Sequence, residues 1–223
     1  MIPIKDNIPA RSFPFINYSI IFLNIVVFIY ELTLSSYELE FFFKSWGLLP
    51  LYLIHLHWIN FLTSMFIHGG FIHLFGNMLF LYVFGDNVED ALGKLKYLIL
   101  YFGSGIGAAL LQSIISLFEG AYTIPMIGAS GAISGVLAAY VKLYYDAKIL
   151  TFIPPFPVLF ILPAWFFIGY WFFIQVLFAF ITPATVGGVA WYAHIGGFIA
   201  GWFLTDFLYP RKNPKLVYYS ILR

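Results

Sequence analysis

Ser130 stands in the run Met126-Ile127-Gly128-Ala129-Ser130-Gly131-Ala132-Ile133-Ser134-Gly135, with glycine two places before it and one place after. A serine hydroxyl is a weak nucleophile until a base within hydrogen-bond reach takes its proton. Histidine is the usual base. His194 lies near the start of the last apolar segment, and we read Ser130 and His194 as a nucleophile–base dyad. No carboxylate suits a third position. Glu89 and Asp206 each lie more than ten residues beyond the histidine of their own segments, towards the opposite end. Orientation of the imidazole is therefore left to packing or to an aromatic neighbour.

His73 and Asn77 are four residues apart and share one helix face. Attack on an amide creates an oxyanion, which needs fixed donors, and each donor lost costs about 10²–10³ in rate. The Asn77 side chain, the His73 ring and the Ser130 amide could supply them. The competing reading is plain interhelical hydrogen bonding. His68, beside Gly69-Gly70, reads as structural, and His55 and His57 have no assigned role. Ser134 is a weaker second nucleophile, one turn deeper and without the glycine two places before it. Zinc is the rival use for His68, His73 and His194. The chain has no Cys, no His-Glu-x-x-His and no carboxylate near those histidines, so neither metal nor another cofactor is expected. Asp86, Glu89 and Asp90 read as a charge cluster and cap, not as a carboxylate-pair protease.

The elements that position these groups are those of a membrane protein. Of 223 residues, 62% are hydrophobic and 9% charged, where a soluble domain carries about 25% charged residues. The class is integral membrane protein, with the lipid bilayer as surroundings. A net charge of +1 without a basic stripe argues against nucleic acid as partner, and the absence of Cys excludes disulfides and thiolate chemistry. The N-terminal apolar run exceeds a signal-peptide core and lacks a small-x-small site after it, so it reads as a retained helix.

A spanning helix needs roughly 20 apolar residues. Six segments qualify: 13–34, 71–88, 95–117, 127–145, 158–181 and 190–209. The loop 35–70 should hold short interfacial helices. The loop 146–157, with Pro154-Pro155-Phe156-Pro157, should hold none. We expect one domain over residues 1–223, an all-α six-helix bundle. With six spans, Lys5, Arg11, Lys94, Lys96, Lys142, Lys148, Arg211, Lys212, Lys215 and Arg223 fall on one side and Lys44 on the other, which makes both termini cytoplasmic. Segments two, four and six then begin outside, so His73, Asn77, Ser130 and His194 share a depth in the outer third of the membrane. Gly197 and Gly201 lie on the face of His194, and Gly131 and Gly135 form a second small-xxx-small pair. Such pairs let helices approach closely, and a histidine inside a membrane helix is costly and usually functional.

Three motifs together resemble the rhomboid family of intramembrane serine proteases: Gly128-Ala129-Ser130-Gly131, His68-x4-His73-x3-Asn77, and Ala193-His194-x2-Gly197-x3-Gly201. The run Phe84-Gly85-Asp86-Asn87-Val88-Glu89-Asp90 is similar to the bacterial branch, and the resemblance covers about residues 13–209. It implies Ser130 as nucleophile and His194 as base, with an oxyanion hole from His73, Asn77 and the Ser130 amide. Gly128, Gly131, His68, Gly197 and Gly201 would shape the site. Substrates would be transmembrane or juxtamembrane segments of other membrane proteins, admitted past segment five and the loop after it. The setting would be the plasma or inner membrane, with the site near the extracytoplasmic face. One feature departs from the family: where many members carry Trp-Arg in the first loop, this chain has Ile59-Asn60, with Trp58 one place early. That puts the loop's conformation in question, not the dyad. Two other readings stay open, a non-catalytic client-binding relative and a small transporter using His73 and His194 in a proton path.

Overall fold

The computed structural model describes residues 1–55, 57–155 and 158–209. Arg211, Lys212, Lys215 and Arg223, which enter the charge count above, lie outside the described residues, as do Phe156 and Pro157. Strand β1 (Ile2–Asp6) is followed by α1 (Phe15–Glu31). The first loop folds into α2 (Ser36–Trp46), a 3-10 turn (Pro50–Leu53), α3 (Ile59–Thr63) and a second 3-10 turn (Ser64–Phe66). A long helix follows, made of α4 (Phe71–Phe80), a π turn (Leu81–Gly85) and α5 (Asp86–Leu92). Then come α6 (Lys94–Phe118), α7 (Ser130–Leu143), strands β2 (Lys148–Phe152) and β3 (Leu159–Pro163), α8 (Ala164–Ile181) and α9 (Trp191–Leu208). Three of these helices are long and apolar enough to cross a membrane, Phe71–Leu92, Lys94–Phe118 and Ala164–Ile181. Phe15–Glu31 and Ser130–Leu143 are shorter apolar helices.

Local chemistry sets the helix ends. Ser35 Oγ accepts from the Glu38 amide while the Glu38 carboxylate accepts from the Ser35 amide at 2.9 Å, a capping box that starts α2. α1 has no such residue at its start and takes its cap from elsewhere. Glu89 of α5 accepts from the Ile16 and Asn17 amides at 3.1 and 2.7 Å, and Asp90 accepts from Ser12 Oγ at 2.6 Å. The acidic cluster is thus a cap, for a helix far away in sequence. Asn17 in turn donates to the Leu81 carbonyl at the π turn and accepts from Tyr97 Oη at 2.7 Å. Inside an apolar bundle each of these groups would be costly alone.

α7 is the centre. Every residue from Gly131 to Val141 is buried, and α6 and α9 pack on it most extensively. The approach is at backbone contact. A Cβ on Gly197 would strike the carbonyl group of Gly131, and one on Gly201 would strike the backbone of Gly135. α8 lies at the periphery, with 28% of its apolar window buried against 44% in α6. Trp165, Phe166, Tyr170, Phe173 and Phe180 point outward.

A three-stranded antiparallel sheet, ordered β1-β2-β3, differs from the expected irregular loop and from a fifth segment starting at 158. β2 and β3 pair from Lys148 with Pro163 to Phe152 with Leu159, and β1 pairs with β2. An apolar run of this length suits a strand as well as a helix. Pro163 then stands at the N-cap and α8 begins after it. Tyr140 Oη and Asn87 Nδ2 donate to the Asp6 carboxylate, seating β1 against the bundle. Burial pushes the Asp6 carboxyl up, against the lowering effect of the Tyr140 hydroxyl.

The glycine contacts predict opposite outcomes for one substitution at two sites. Gly197→Ala should destabilise the fold by about 1–3 kcal/mol, because backbone cannot yield to the added methyl. Gly169→Ala on α8, with no atom within 4 Å of the new methyl, should be neutral or stabilising by up to about 1 kcal/mol. Thermal unfolding in detergent measures both. For Asp6, a raised folded-state value means stability that is complete below the unfolded value and lost as pH rises through the folded one. Amide protection of β1 should fall, after correction for intrinsic exchange, as pH rises above the ordinary aspartate range and through the raised Asp6 value, and Asp6→Asn should flatten that slope.

Candidate active site

The chain entering α7 is extended and pinned on both sides. Leu48 and Met126 exchange backbone hydrogen bonds at 3.0 and 2.9 Å, and the Gly128 amide donates to the Ser64 carbonyl at 2.9 Å. Gly128 takes φ +114°, and a Cβ there would lie 2.6 Å from His73 Nε2. Glycine therefore serves both the backbone angle and the approach of the ring. The helix starts at Ser130, three residues later than expected. The Ser130 amide is thus a first-turn donor without an intrahelical partner, at the positive end of the helix dipole.

His194 lies in the first turn of α9, buried. Its Nε2 is 2.8 Å from Ser130 Oγ, and its Nδ1 is 2.6 Å from Gln175 Oε1 on α8. Gln175 Nε2 donates to the Trp171 carbonyl at 3.0 Å. A carbonyl can only accept, so this bond fixes which way the amide points and leaves Oε1 towards the imidazole. An amide oxygen also only accepts. Nδ1 must then carry the ring proton, and Nε2 is free to accept from the Ser130 hydroxyl. Trp171 and Trp191 flank the ring, with centroids at 5.8 and 6.2 Å. The aromatic neighbours agree with the sequence expectation, and Gln175 adds a hydrogen-bond partner to it. Its only sequence signal was a single amide in a very apolar helix. Ser134 is occupied otherwise, donating to the Ser130 carbonyl at 2.7 Å.

The second histidine pair has its own tautomer logic. The Gly69 amide donates to His73 Nδ1 at 3.3 Å, so the His73 proton sits on Nε2, facing Gly128. His68 Nδ1 donates to the Phe66 carbonyl at 3.4 Å, and His68 Nε2 accepts from Asn77 Nδ2 at 2.9 Å. One Asn77 amide proton is thereby held and the other remains for the site. The His68 amide donates to Glu31 Oε1 at 3.1 Å. Glu31, buried at the end of α1, is a second residue that spacing alone could not connect to the site.

Ser130, His194, His73 and Asn77 line one cavity of about 950 Å³, together with Gly128, Gly131 and Trp171. Thr182, Pro183, Ala184, Gly187, Gly188 and Val189, before α9, form part of its wall. Ala184 of that loop donates its amide to Glu119 at the end of α6, and the Ala193 amide donates to Gln112 of α6. His68 lies buried behind Asn77, while Gly197 and Gly201 lie at the α7–α9 crossing. His55 and His57 are exposed in the first loop, with His57 stacked on Tyr52. Where the first loop lacks Trp-Arg, buried Asn60 donates to the Ser45 and Gly47 carbonyls at 2.8 and 2.9 Å and ties α3 to the end of α2. Among the described residues no three His, Asp or Glu side chains gather as a metal site.

A family model for the Rhomboid domain matches residues 55–211. Rhomboid protease AarA of Providencia stuartii is 31% identical over 201 residues, covering 82% of this chain and 68% of that one. Rhomboid-like protein 11, chloroplastic, of Arabidopsis thaliana is 35% identical over 127 residues, covering 55% of this chain and 44% of that one. Rhomboid protein 1, mitochondrial, of Saccharomyces cerevisiae is 39% identical over 100 residues, covering 44% and 29%. The matched region thus spans between 29% and 68% of the length of these relatives. With its long apolar helices, and with similarity that runs through the helices bearing Ser130 and His194, this multi-pass membrane protein belongs to the rhomboid family.

Proposed function

We propose that the protein is an intramembrane serine endopeptidase, and the observation that carries the proposal is the 2.8 Å contact between Ser130 Oγ and His194 Nε2. Ser130 Oγ adds to the scissile carbonyl carbon while its proton passes to His194 Nε2. His73 Nε2–H, the free Asn77 amide proton and the Ser130 N–H stabilise the oxyanion. His194 then returns its proton to the leaving amine, and the acyl-enzyme is hydrolysed by water that His194 activates in turn. His68 and, through its amide, Glu31 hold Asn77 in place. Gly128 and Gly131 give room beside the serine, and Gly197 and Gly201 set the helix crossing. Neither metal nor cofactor takes part.

The same reading gives six spans: α1, the α4–α5 helix, α6, α7, α8 and α9. Both termini are then cytoplasmic by the distribution of Lys and Arg, the cavity faces the extracytoplasmic side, and the membrane is the plasma or inner membrane. α7, with 14 residues, is the shortest of the six and falls short of the roughly 20 residues that a full crossing needs. This supports a site reached by water from outside. Substrates are transmembrane or juxtamembrane segments of other membrane proteins, brought in along the bilayer. AarA, a relative matched over 82% of this chain, is named a protease, which supports the catalytic reading over a client-binding one.

A fluorophosphonate probe on detergent-purified protein is expected to label Ser130, with the label mapped by peptide analysis. Ser130→Ala and His194→Ala should lose both label and cleavage of a liposome-reconstituted transmembrane substrate, by at least about 10³-fold. Undiminished labelling of His194→Ala would remove histidine as the base. Asn77→Ala should lower kcat by about 10²–10³ while costing no more than about 2 kcal/mol in stability from the lost His68 bond. An unchanged rate with gross loss of stability would make Asn77 a structural residue.

A further inference from the structure

We infer that Gln175 is a positioning residue for the base: it fixes the His194 tautomer, and because it sits on α8 it makes the base competent only while α8 is seated against α9. This rests on the protease reading. Three observations carry it. The first is the 2.6 Å contact of Gln175 Oε1 with His194 Nδ1, on the side of the ring away from Ser130. The second is the bond from Gln175 Nε2 to the Trp171 carbonyl, four residues back on the same helix, which prevents the amide from presenting its donor to the imidazole. The third is burial. Gln175 is 5% exposed and His194 9% exposed, so an unmet polar group on either would be costly.

The chemistry follows from that arrangement. When Ser130 Oγ adds to a carbonyl carbon, its proton goes to His194 Nε2 and the ring becomes an imidazolium. The Nδ1 proton stays where it was, donated to Gln175 Oε1. The amide neither gains nor loses a proton. It selects the neutral tautomer before the step and accepts a charge-assisted bond after it. A carboxylate in that place would do the same with a full charge, but a bare carboxylate is more costly to bury in an apolar helix than an amide.

The link to α8 is geometric. α8 is the least buried of the three long apolar helices. Stacked aromatic pairs hold it to α9, Phe172 on Phe198 at 4.3 Å and Phe178 on Trp191 at 4.9 Å. Trp171, one turn before Gln175, lies against the His194 ring. Any displacement of α8 away from α9 by more than an ångström or so breaks the hydrogen bond to Nδ1. The ring is then free to take the other tautomer, whose Nε2 carries a proton and cannot accept from serine.

The test uses the full chain in detergent with 15N-labelled histidine, His194 being assigned by loss of its signals in His194→Ala. Wild type is expected to show a single neutral tautomer with the proton on Nδ1, and Gln175→Leu a mixture or the opposite tautomer. Cleavage by Gln175→Leu should fall about 10- to 100-fold in kcat with KM changed by less than about threefold, and Gln175→Glu, which keeps an acceptor, should recover most of that loss. A wild-type His194 protonated on Nε2 would overturn the inference. So would a Gln175→Leu enzyme with wild-type kcat and an unchanged tautomer, or Leu and Glu variants equally impaired. If Gln175→Leu does not fold, the wild-type tautomer and the Gln175→Glu kinetics decide. A wild type that neither labels at Ser130 nor cleaves would instead sink the protease reading, and the tautomer measurement would still judge Gln175.

Discussion

The distance between Ser130 and His194 depends on how closely α7 and α9 cross. Two helices bearing ordinary side chains keep their axes 8–10 Å apart or more. Serine and histidine in their first turns meet here at 2.8 Å because the crossing is made of glycine on both sides. Gly197 lies on the Gly131 carbonyl and Gly201 on the Gly135 backbone. Beside that crossing, Gly135 also admits the Ser104 side chain of α6. Three helices are thus drawn together along one seam, and the remaining elements are arranged around it. In a bilayer, where lipid solvates apolar side chains as well as protein does, such packing is a main source of helix association.

The polar groups of the bundle obey a second constraint. In an apolar interior an unmet polar group is costly, and the bonds that join one element to another draw their partners from distant parts of the chain. Glu89 caps α1, and Asn17 joins α1 to the π turn and to Tyr97. Glu31 holds His68, which holds Asn77. Gln112 takes the Ala193 amide at the start of α9. Each bond contributes only about 1 kcal/mol net, but an unmet donor or acceptor costs more. The network therefore acts chiefly by excluding other arrangements. Around His73, His68 and His194 it also determines where each ring proton sits, which is a chemical property and not only a structural one.

The periphery follows looser rules. α8 turns large aromatics outward and meets the bundle through few of its residues. The β-sheet ties the first residues of the chain to the turn between α7 and α8 through β1–β2 pairing and through Asp6, Tyr140 and Asn87. The first loop is held by Asn60 and by the Leu48–Met126 bridge. It thereby supports the extended strand that delivers Ser130. Asn60 gives two carbonyls of that loop their donors.

By sequence alone, composition determined the class and the long apolar helices, since 9% charge in 223 residues leaves no soluble alternative. Spacing singled out Ser130, His194, His73 and Asn77, because hydroxyl, imidazole and amide groups are rare and costly in apolar helices, and it singled out the glycines by their period. Other features were decided only in three dimensions. An apolar run at 158–163 suits a strand or a helix equally; it pairs with residues 148–152, whose other edge is taken by residues 2–6, which no local pattern announces. The start of α7 at Ser130 rather than at 127 follows from bridges to Leu48 and Ser64, more than sixty residues away. Gln175 looks like a lone amide in an apolar helix and Glu31 like a charge at a helix end, and only the packing of α8 on α9 and of α1 beside the first loop reveals what they hold. The tautomers of the three histidines come last in that order. They depend on which neighbour donates and which accepts, and tertiary contacts alone decide that.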